Sequence, residues 1–340
     1  MPQPPQSVIS PAYARLAGRL RSGGVVVLDG GIGSELQEVG YPPDPATRAG
    51  NYTWGSLALH EAPQALIEVH RRYAEAGADV LETHTFGLNR IAAASARGRL
   101  DLPPDAWPEL ALRSVSLVRE GAAQAGRDDV AVAFACRTQD WSAEQFEQAA
   151  GYRGVYEALD RGYLETLANL LANAEEARKP DLILMEIQSW IPEDLAFPDY
   201  QLFLDTGIPL WVSYRRTIGG TTGVAGEPII QDGDRFGLAA RRFEEMGVAA
   251  LLVNCLPPEQ IRGVMTWLRG YTSLPLGAYP NVGRYLEYEW DFSTNPTPAQ
   301  FSAEVARWVD EGAQIVGGCC GVRPEHIAAL VSTYARPVTR

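Results

Sequence analysis

The sequence predicts a single-domain α/β protein with the (β/α)8 TIM barrel fold, and three observations lead to this prediction. Short apolar runs alternate eight times with longer stretches of helical periodicity along the chain. The apolar runs are nearly continuous, as in parallel strands that are buried on both faces. The length of 340 residues suits one barrel with modest insertions. An open doubly wound sheet, or two such sheets, is the alternative that the pattern alone leaves open.

The eight predicted strands are short runs of mostly Val, Ile, Leu and Ala. In chain order they cover residues 25–28, 79–83, 130–135, 182–187, 209–214, 249–253, 274–278 and 313–316. A segment with the apolar spacing of an amphipathic helix follows each strand. These segments cover residues 63–76, 107–125, 152–177, 194–205, 233–246, 257–269, 298–310 and 324–334. A helix after every strand is the repeat from which a barrel closes.

The barrel domain is predicted to cover residues 13–340, preceded by a disordered lead-in of residues 1–12. The lead-in is rich in Pro, Gln and Ser, and it has no cationic segment leading into an apolar one, so it lacks the pattern of a secretory signal. No run of 18 apolar residues occurs, and a membrane span is therefore not expected. We expect a cytoplasmic protein.

The charge and the cysteine content exclude several classes of protein. Lys and Arg total 29 and Asp and Glu total 42, which gives a net charge of −13. Because an acidic protein without a basic run repels a phosphate backbone, no nucleic-acid partner is expected. The four cysteines are too sparse for a disulfide framework, and two of them are adjacent. In a reducing compartment we expect them to be buried, metal-bound or catalytic.

Three of the four cysteines, Cys255, Cys319 and Cys320, follow the sixth and eighth predicted strands. The carboxyl ends of barrel strands carry the active site, so these thiols are expected to meet there. Three thiolates suit a tetrahedral Zn2+ site whose fourth position is open, as in catalytic zinc sites. The spacing also fits a second interpretation, in which Cys319 and Cys320 are small buried hydrophobes between glycines.

Five segments resemble the homocysteine S-methyltransferase family. They are LDGGIGSELQ (28–37), ETHTFGLNR (82–90), VNC (253–255), YPNVG (279–283) and GGCCGVRPEHI (317–327). The segments occur in the family's order, and the glycine-flanked cysteine pair followed by Pro-Glu-His is the most specific of them. Members of this family, which include betaine–homocysteine and S-methylmethionine–homocysteine methyltransferases, are zinc-dependent (β/α)8 barrels. The resemblance therefore implies the same fold, the same metal and an enzyme of this class.

Residue by residue, the resemblance implies the transfer of a methyl group from a small onium donor to the thiolate of homocysteine, giving methionine. The implied zinc ligands, which are also the implied catalytic residues, are Cys255, Cys319 and Cys320. The residues implied to hold the amino-acid end of homocysteine are Asp29 and Glu186, together with Gly30 and Gly31, which would bind through their backbone amides. Thr85 is included with them, more for orienting its loop than for touching the substrate.

The implied partners are small molecules, a thiol acceptor and a methyl donor, and a homo-oligomer is compatible with the resemblance. Twenty residues follow Cys320, fewer than the long C-terminal arm expected of the betaine enzymes. The chain also has no segment expected of a folate or cobalamin domain. S-methylmethionine is therefore the favoured donor.

Three positions depart from the family pattern. His84 stands where Asn is usual, and Ile187 follows Glu186 where Thr is common. Residues 135–138 read Ala-Cys-Arg-Thr instead of a Ser-x-Gly-Pro type of turn. These departures leave open that the zinc site acts on another thiol or selenol, such as selenocysteine, or takes its methyl group from a corrinoid protein.

Two further alternatives belong to other functional classes. A non-catalytic zinc-binding barrel would need only the cysteines, and the presence of Asp29 and Glu186 argues against it. A lyase or hydrolase would use His60, His84 and carboxylates, and a total of four histidines argues against a histidine-ligated metal.

Some side chains have predicted roles outside this set. His326 is expected on the surface of the last helix, and Cys136 is expected to be structural. Tyr214, Trp141 and the 285–290 stretch are the candidate aromatic surface for a cationic donor.

Overall fold

The computed structural model describes residues 9–42, 51–96, 98, 100–137, 161–188, 191–192, 194–218, 220–222, 228–229, 233–286 and 289–334. Eight parallel strands form its central sheet. In chain order they are β1 (Val26–Val27), β2 (Val80–Glu82), β3 (Ala131–Cys136), β4 (Leu182–Gln188), β5 (Leu210–Tyr214), β6 (Ala250–Asn254), β7 (Leu276–Tyr279) and β8 (Ala313–Val316). Each strand pairs with its chain neighbour in the series, and β1 pairs with β8. A parallel bridge between Leu28 and Val80 joins β1 to β2, so the predicted barrel is confirmed.

Helices surround the strands in the described part of the chain. They are α1 (Pro11–Arg21), α2 (Ile32–Glu38), α3 (Asn51–Glu61), α4 (Pro63–Glu75), α5 (Leu88–Ala96), α6 (Trp107–Gln124), α7 (Arg161–Ala172), α8 (Pro198–Leu204), α9 (Gly233–Met246), α10 (Val264–Arg269), α11 (Pro298–Asp310) and α12 (Pro324–Tyr334). Their starts follow from local chemistry, since the Thr297 side chain and Gln300 form a capping box at α11. None of the described helices has the length and apolarity needed to cross a membrane.

The strands divide their side chains between two apolar layers. One layer fills the barrel interior and includes Val26, Leu28, Ala133, Trp211 and Ile315. The other layer, between strands and helices, receives the alternate residues of the same strands, such as Val27. This alternation is the two-residue period of strands buried on both faces, and it is why the sequence reads as continuous apolar runs.

Helix α1 closes the amino-terminal end of the barrel. Its apolar residues Tyr13, Leu16 and Leu20 join the interior cluster, and the Trp211 indole N–H donates to the Tyr13 hydroxyl at 3.2 Å. The helix begins at Pro11, with the Ser10 side chain accepting from the Tyr13 amide, so it starts two residues inside the predicted lead-in. A serine cap followed by proline is a strong helix start. Residues 1–8 of that lead-in lie outside the described residues.

Other elements differ from the sequence prediction in detail. Helix α8 is shorter than the predicted 194–205 segment, and the 257–269 segment divides into a 3-10 turn, Pro258–Gln260, and α10. Antiparallel pairing also joins residues 221–222 to 228–229 and residues 284–286 to 289–291, where no strand was predicted. The prediction of a surface position for His326 is wrong, because it is 3% exposed and its Nδ1 accepts from the Arg323 amide at 3.1 Å.

Candidate active site

Three thiols meet at the carboxyl end of the barrel. Cys255 follows β6 directly, and Cys319 and Cys320 follow β8 after two glycines. The three sulfurs lie within 4.8 Å of one another, and the two adjacent sulfurs are 3.9 Å apart. All the cysteines of the chain are free. The structure thus brings together the three residues that the sequence predicts as a metal site.

The backbone around the thiols is tied to β7, the strand between β6 and β8. The Cys255 amide donates to the Tyr279 carbonyl at 3.3 Å, and the Cys319 amide donates to the Pro280 carbonyl at 2.7 Å. Cys255 has a φ of 51°, a left-handed conformation that costs a non-glycine residue about 1–2 kcal/mol. Such strain is typical of functional positions.

Glycine permits the cysteine pair to approach the start of α2. A Cβ atom at Gly31 would lie 2.4 Å from the Ser34 hydroxyl and 2.6 Å from the Cys319 carbonyl oxygen. The Ser34 hydroxyl also accepts from the Gly321 amide at 3.0 Å. The Asp-Gly-Gly segment after β1 is therefore needed for close packing against the cysteine turn.

The thiols have the spacing and the charge distribution of a site for a soft cation. Four-coordinate zinc with Zn–S distances of about 2.3 Å separates sulfurs by about 3.8 Å, close to the Cys319–Cys320 distance of 3.9 Å. Hydrogen bonds from Cys255 and Cys319 hold the pKa of Cys320 well below its usual range, and the matching bonds raise the pKa of Cys319. The hydrogen bonds among the three thiols thus favour loss of a proton at Cys320 over the other two, and a cation between them would favour deprotonation of all three.

Two predicted carboxylates, Asp29 and Glu186, are buried after β1 and within the end of β4, with exposures of 1% and 8%. Asp29 Oδ2 accepts from the Glu82 amide at 2.9 Å, whereas its Oδ1 has no partner. The Glu186 carboxylate accepts from the Tyr279 hydroxyl at 3.0 Å. Asp29 does not cap α2, since the capping position belongs to Gly31.

The environment raises the pKa of both carboxyls. Burial raises the pKa of Asp29 well above its usual range, against the opposing effect of the Glu82 amide. Burial also raises the pKa of Glu186 to about 7, while the Tyr279 hydroxyl opposes the rise and the negative charge of Cys320 adds to it. The interaction with Cys320 joins the carboxylates and the thiols electrostatically into one site.

Glu82 is the first residue of the family-like 82–90 segment, and the sequence prediction gave it no role. Its carboxyl is 8% exposed, and its Oε1 has no hydrogen-bond partner. Burial raises the pKa of Glu82 well above its usual range, and the charges of Glu186 and Asp29 raise it further. The signal available in the sequence was an acidic residue at the end of an apolar strand, without a basic residue beside it.

Three further residues were predicted to bind substrate: Gly30, Gly31 and Thr85. The Gly31 amide already donates to the Val322 carbonyl at 3.0 Å, and it would have to give up this hydrogen bond to bind substrate. The Gly30 amide makes no hydrogen bond within the described part of the chain. The Thr85 hydroxyl donates to the Ala135 carbonyl at 2.5 Å and contacts the Thr83 hydroxyl at 2.7 Å. Thr85 therefore joins β2 to β3, in agreement with an orienting role.

His84 lies beside the thiols. Burial lowers the pKa of His84 to about 4, and the negative charge of Cys320 opposes this, so the ring is neutral at physiological pH.

Tyr214 is fully buried, with its hydroxyl 3.0 Å from that of Tyr200, and its predicted contact with a donor is wrong. Trp141 lies outside the described residues, as do the side chains of residues 285–290.

Within the described residues, the one group with the spacing of a metal site contains cysteines and no histidine. This finding argues against the histidine-ligated lyase or hydrolase. His60 is exposed and is not part of the group. Cys136 is buried at the end of β3, where burial raises its thiol pKa above the usual range, as expected for a structural cysteine.

The comparisons with known proteins agree in class. The model of the family described as homocysteine S-methyltransferase matches residues 26–334. The chain is 30% identical to homocysteine S-methyltransferase 4 of Zea mays, over 94% of this chain and 92% of that protein. It is 26% identical to selenocysteine methyltransferase of Astragalus bisulcatus, over 91% and 92%. Among solved structures, the chain is similar to the metallated form of the homocysteine methyltransferase MmuM from Escherichia coli, with a TM-score of 0.66 and 24% identity. The match covers 94% of this chain and 99% of that chain, and it supports the fold.

Proposed function

Because the chain belongs to the homocysteine S-methyltransferase family, we propose that it transfers a methyl group from a small onium donor to the sulfur of homocysteine, producing methionine. The observation that carries this proposal is the juxtaposition of three convergent thiols with buried carboxylates at one end of the barrel. A metal site alone would not require the carboxylates. An acceptor that has both a thiol and an ammonium group uses both parts of the site.

Cys255, Cys319 and Cys320 would hold Zn2+, which their soft sulfur donors favour over hard cations. When bound there, the metal supplies a positive centre that lowers the pKa of the acceptor thiol, so that the nucleophilic thiolate is present at neutral pH. The agreement of the sulfur spacing with tetrahedral zinc supports this assignment.

The other residues of the site bind and orient the acceptor. Asp29 and Glu186 would accept hydrogen bonds from its ammonium group, and the Tyr279 hydroxyl would fix the position of Glu186. Because both carboxylates are buried, water competes little for these hydrogen bonds. The neutral His84 ring adds no positive charge that would repel a cationic donor. Fixing the acceptor in this way favours the in-line approach of thiolate and methyl carbon.

S-methylmethionine is the donor we propose first. Its methyl group is bound to a positively charged sulfur, and the acceptor thiolate attacks this carbon while the neutral thioether leaves with the bonding electrons. The net charge of −13 and the negative charges of the site favour a cationic donor. The four free cysteines support a reducing compartment, and we propose that the reaction takes place in the cytoplasm.

The test is homocysteine methylation by the zinc-loaded protein, with S-methylmethionine, betaine and S-adenosylmethionine supplied separately. We expect methionine with S-methylmethionine, and no methionine from a Cys319→Ala variant. A Cys136→Ala variant is the matched control, since it removes a thiol that lies outside the cluster. The absence of product with all three donors, at full zinc occupancy, would contradict the proposal.

A selenol acceptor is a second candidate, favoured by the similarity to selenocysteine methyltransferases. Selenocysteine has the same ammonium and carboxylate groups with a shorter side chain, and its selenol is a soft ligand like a thiol. Ratios of kcat/KM for selenocysteine and homocysteine with the same donor distinguish the two acceptors. A ratio above one would favour the selenol.

A further inference from the structure

We propose that Glu82 is a third carboxylate of the pocket that binds the acceptor's ammonium group, and that it makes this pocket selective for an unsubstituted primary ammonium. The proposal rests on the proposed function above, because it concerns the acceptor of that reaction. Glu82 was not among the residues that the family resemblance assigned to substrate. Its role is inferred from its contacts in the structure.

Glu82 lies between the two carboxylates already assigned to the ammonium group. Its backbone N–H donates to Asp29 Oδ2 at 2.9 Å, and its carboxyl is hydrogen-bonded to that of Glu186. The three acidic groups therefore form one continuous cluster, contributed by the ends of β1, β2 and β4. A substrate group that contacts Asp29 and Glu186 is necessarily close to Glu82.

The cluster has hydrogen-bonding capacity that the protein does not use. Asp29 Oδ1 and Glu82 Oε1 are both buried, and neither accepts a hydrogen bond. Among the described residues, no Arg, Lys or His forms an ion pair with any of the three carboxyls. Unpaired buried carboxylates are strongly unfavourable, so a cationic ligand is the group that this cluster fits.

The spacing favours a molecular cation over a metal ion. Only the thiols, among the described residues, have three ligand atoms within 4.8 Å of one another. The three carboxylates do not meet this spacing, whereas oxygens around Mg2+, at metal–oxygen distances of about 2.0–2.1 Å, lie at most about 4.2 Å apart. Hydrogen bonds from an ammonium nitrogen are longer, about 2.7–3.2 Å. A primary ammonium also has three N–H groups, one for each carboxylate.

The test is calorimetric titration of the zinc-loaded protein with L-homocysteine and with 4-mercaptobutanoate, which has the thiol and the carboxylate but lacks the ammonium group. For Glu82→Gln we expect affinity for homocysteine to fall about ten- to a hundredfold, the loss of one charge-assisted hydrogen bond, and affinity for 4-mercaptobutanoate to be unchanged. Asp181→Asn, a buried carboxylate at the opposite end of the barrel, is the matched control and should change neither affinity. Equal affinities of Glu82→Gln and the wild type for homocysteine, or an equal loss for both ligands, would overturn the proposal.

A second measurement needs no variant, and so does not depend on how Glu82→Gln folds. N-methyl-homocysteine has one N–H fewer, and we expect the wild type to bind it at least about tenfold more weakly than homocysteine. Equal binding would contradict a pocket of three carboxylates. Methyl-transfer assays on the same samples distinguish a failure of the proposed function from a failure of the proposed role of Glu82. If the expected loss of homocysteine affinity in Glu82→Gln is found but the wild type forms no product, the proposed function alone is rejected. If the wild type forms product but the homocysteine KM of Glu82→Gln is unchanged, the role of Glu82 alone is rejected.

Discussion

The two ends of the barrel use the same type of residue in opposite ways. At the amino-terminal end, Asp79 accepts from the Val27 amide of the neighbouring strand at 2.8 Å and from Arg19 at 2.8 Å. Asp181 likewise accepts from the Val132 amide at 2.7 Å, with Arg119 3.5 Å away. At the carboxyl end, Asp29 accepts a neighbouring strand's amide in the same way, but no guanidinium of a described residue pairs with it.

This difference distinguishes carboxylates that serve only the stability of the barrel from carboxylates that are also candidates for function. A carboxylate that accepts an N–H from the next strand stabilises the barrel at either end. Among these described residues, only the amino-terminal carboxylates also face an arginine, and the acids at the carboxyl end are those that we propose for ligand binding. The following predictions test this contrast, and the first concerns the feature that only the carboxyl end has.

Replacing Cys255 by Ser should have the largest effect. One of three soft ligands becomes a weak hydroxyl ligand, so we expect bound zinc to fall from about one per chain to near zero and methyl transfer to fall by more than about a thousandfold. Metal analysis after gel filtration, together with the methylation assay, measures both. Cys136→Ser, at the end of β3 and outside the cluster, should keep its zinc. Full zinc occupancy in Cys255→Ser would reject this ligand set.

Exchanging aspartate for asparagine at the two ends should give opposite outcomes. Asp181→Asn removes the charge that faces Arg119 and weakens the hydrogen bond from Val132, so we expect the free energy of unfolding to fall by about 1–2 kcal/mol with an unchanged homocysteine KM. Asp29→Asn should raise that KM about ten- to a hundredfold without loss of stability, since it removes an unpaired buried charge. Urea unfolding and steady-state kinetics give the two quantities. A stability loss in Asp29→Asn as large as that in Asp181→Asn would remove the contrast.

The pH dependence of stability should reflect the raised pKa of Glu186, about 7 in the folded protein against about 4.3 in an unfolded chain. Between these values the folded state binds a proton that the unfolded state lacks, so stability decreases as pH rises. The limiting slope for one such group is about 1.4 kcal/mol per pH unit. Urea unfolding of the metal-free protein from pH 5 to 7 should give a shallower decrease for Glu186→Gln. Identical pH profiles would mean that Glu186 is not protonated in the folded protein.

The smallest effect is expected from a matched pair of tyrosines inside the barrel. Tyr279→Phe removes the hydroxyl that donates to Glu186 at 3.0 Å, and we expect the homocysteine KM to rise about three- to tenfold. Tyr13→Phe removes the hydroxyl that accepts from Trp211 at the opposite end, and it should lower stability by about 1 kcal/mol with an unchanged KM. A KM effect of Tyr13→Phe would show that the two ends are coupled.

Much of the fold could be predicted because it depends on burial. The predicted 313–316 strand agrees with β8, and the bounds of the other strands differ by one or two residues, since parallel strands buried on both faces give unmistakable apolar runs. Helix α1 was missed, although Tyr13, Leu16 and Leu20 have helical spacing, because it follows a Pro-rich segment directly. Its apolar face is paired with the barrel interior, a long-range contact that no local pattern contains.

The site could be predicted only as far as residue type and strand position indicate it. The family membership inferred from five segments is confirmed, and the cysteines predicted as ligands converge. The competition for the Gly31 amide was not predictable, since Val322 lies almost 300 residues away in sequence. Glu82 was overlooked for a related reason: whether a buried acid has a cationic partner is a three-dimensional property.

The helix that closes the amino-terminal end also determines the route of the reactants. With Tyr13, Leu16 and Leu20 packed into the interior, the residues that the structure describes leave no passage along the barrel axis. Acceptor, donor and both products must therefore enter and leave by the same end. Asp29 is 1% exposed, while Cys319 and Cys320 are partly exposed, so the binding mode proposed above would seat the ammonium group of the acceptor below the sulfurs. Because a donor bound above the sulfurs would obstruct the path to this seat, we expect compulsory-order kinetics in which the acceptor enters before the donor.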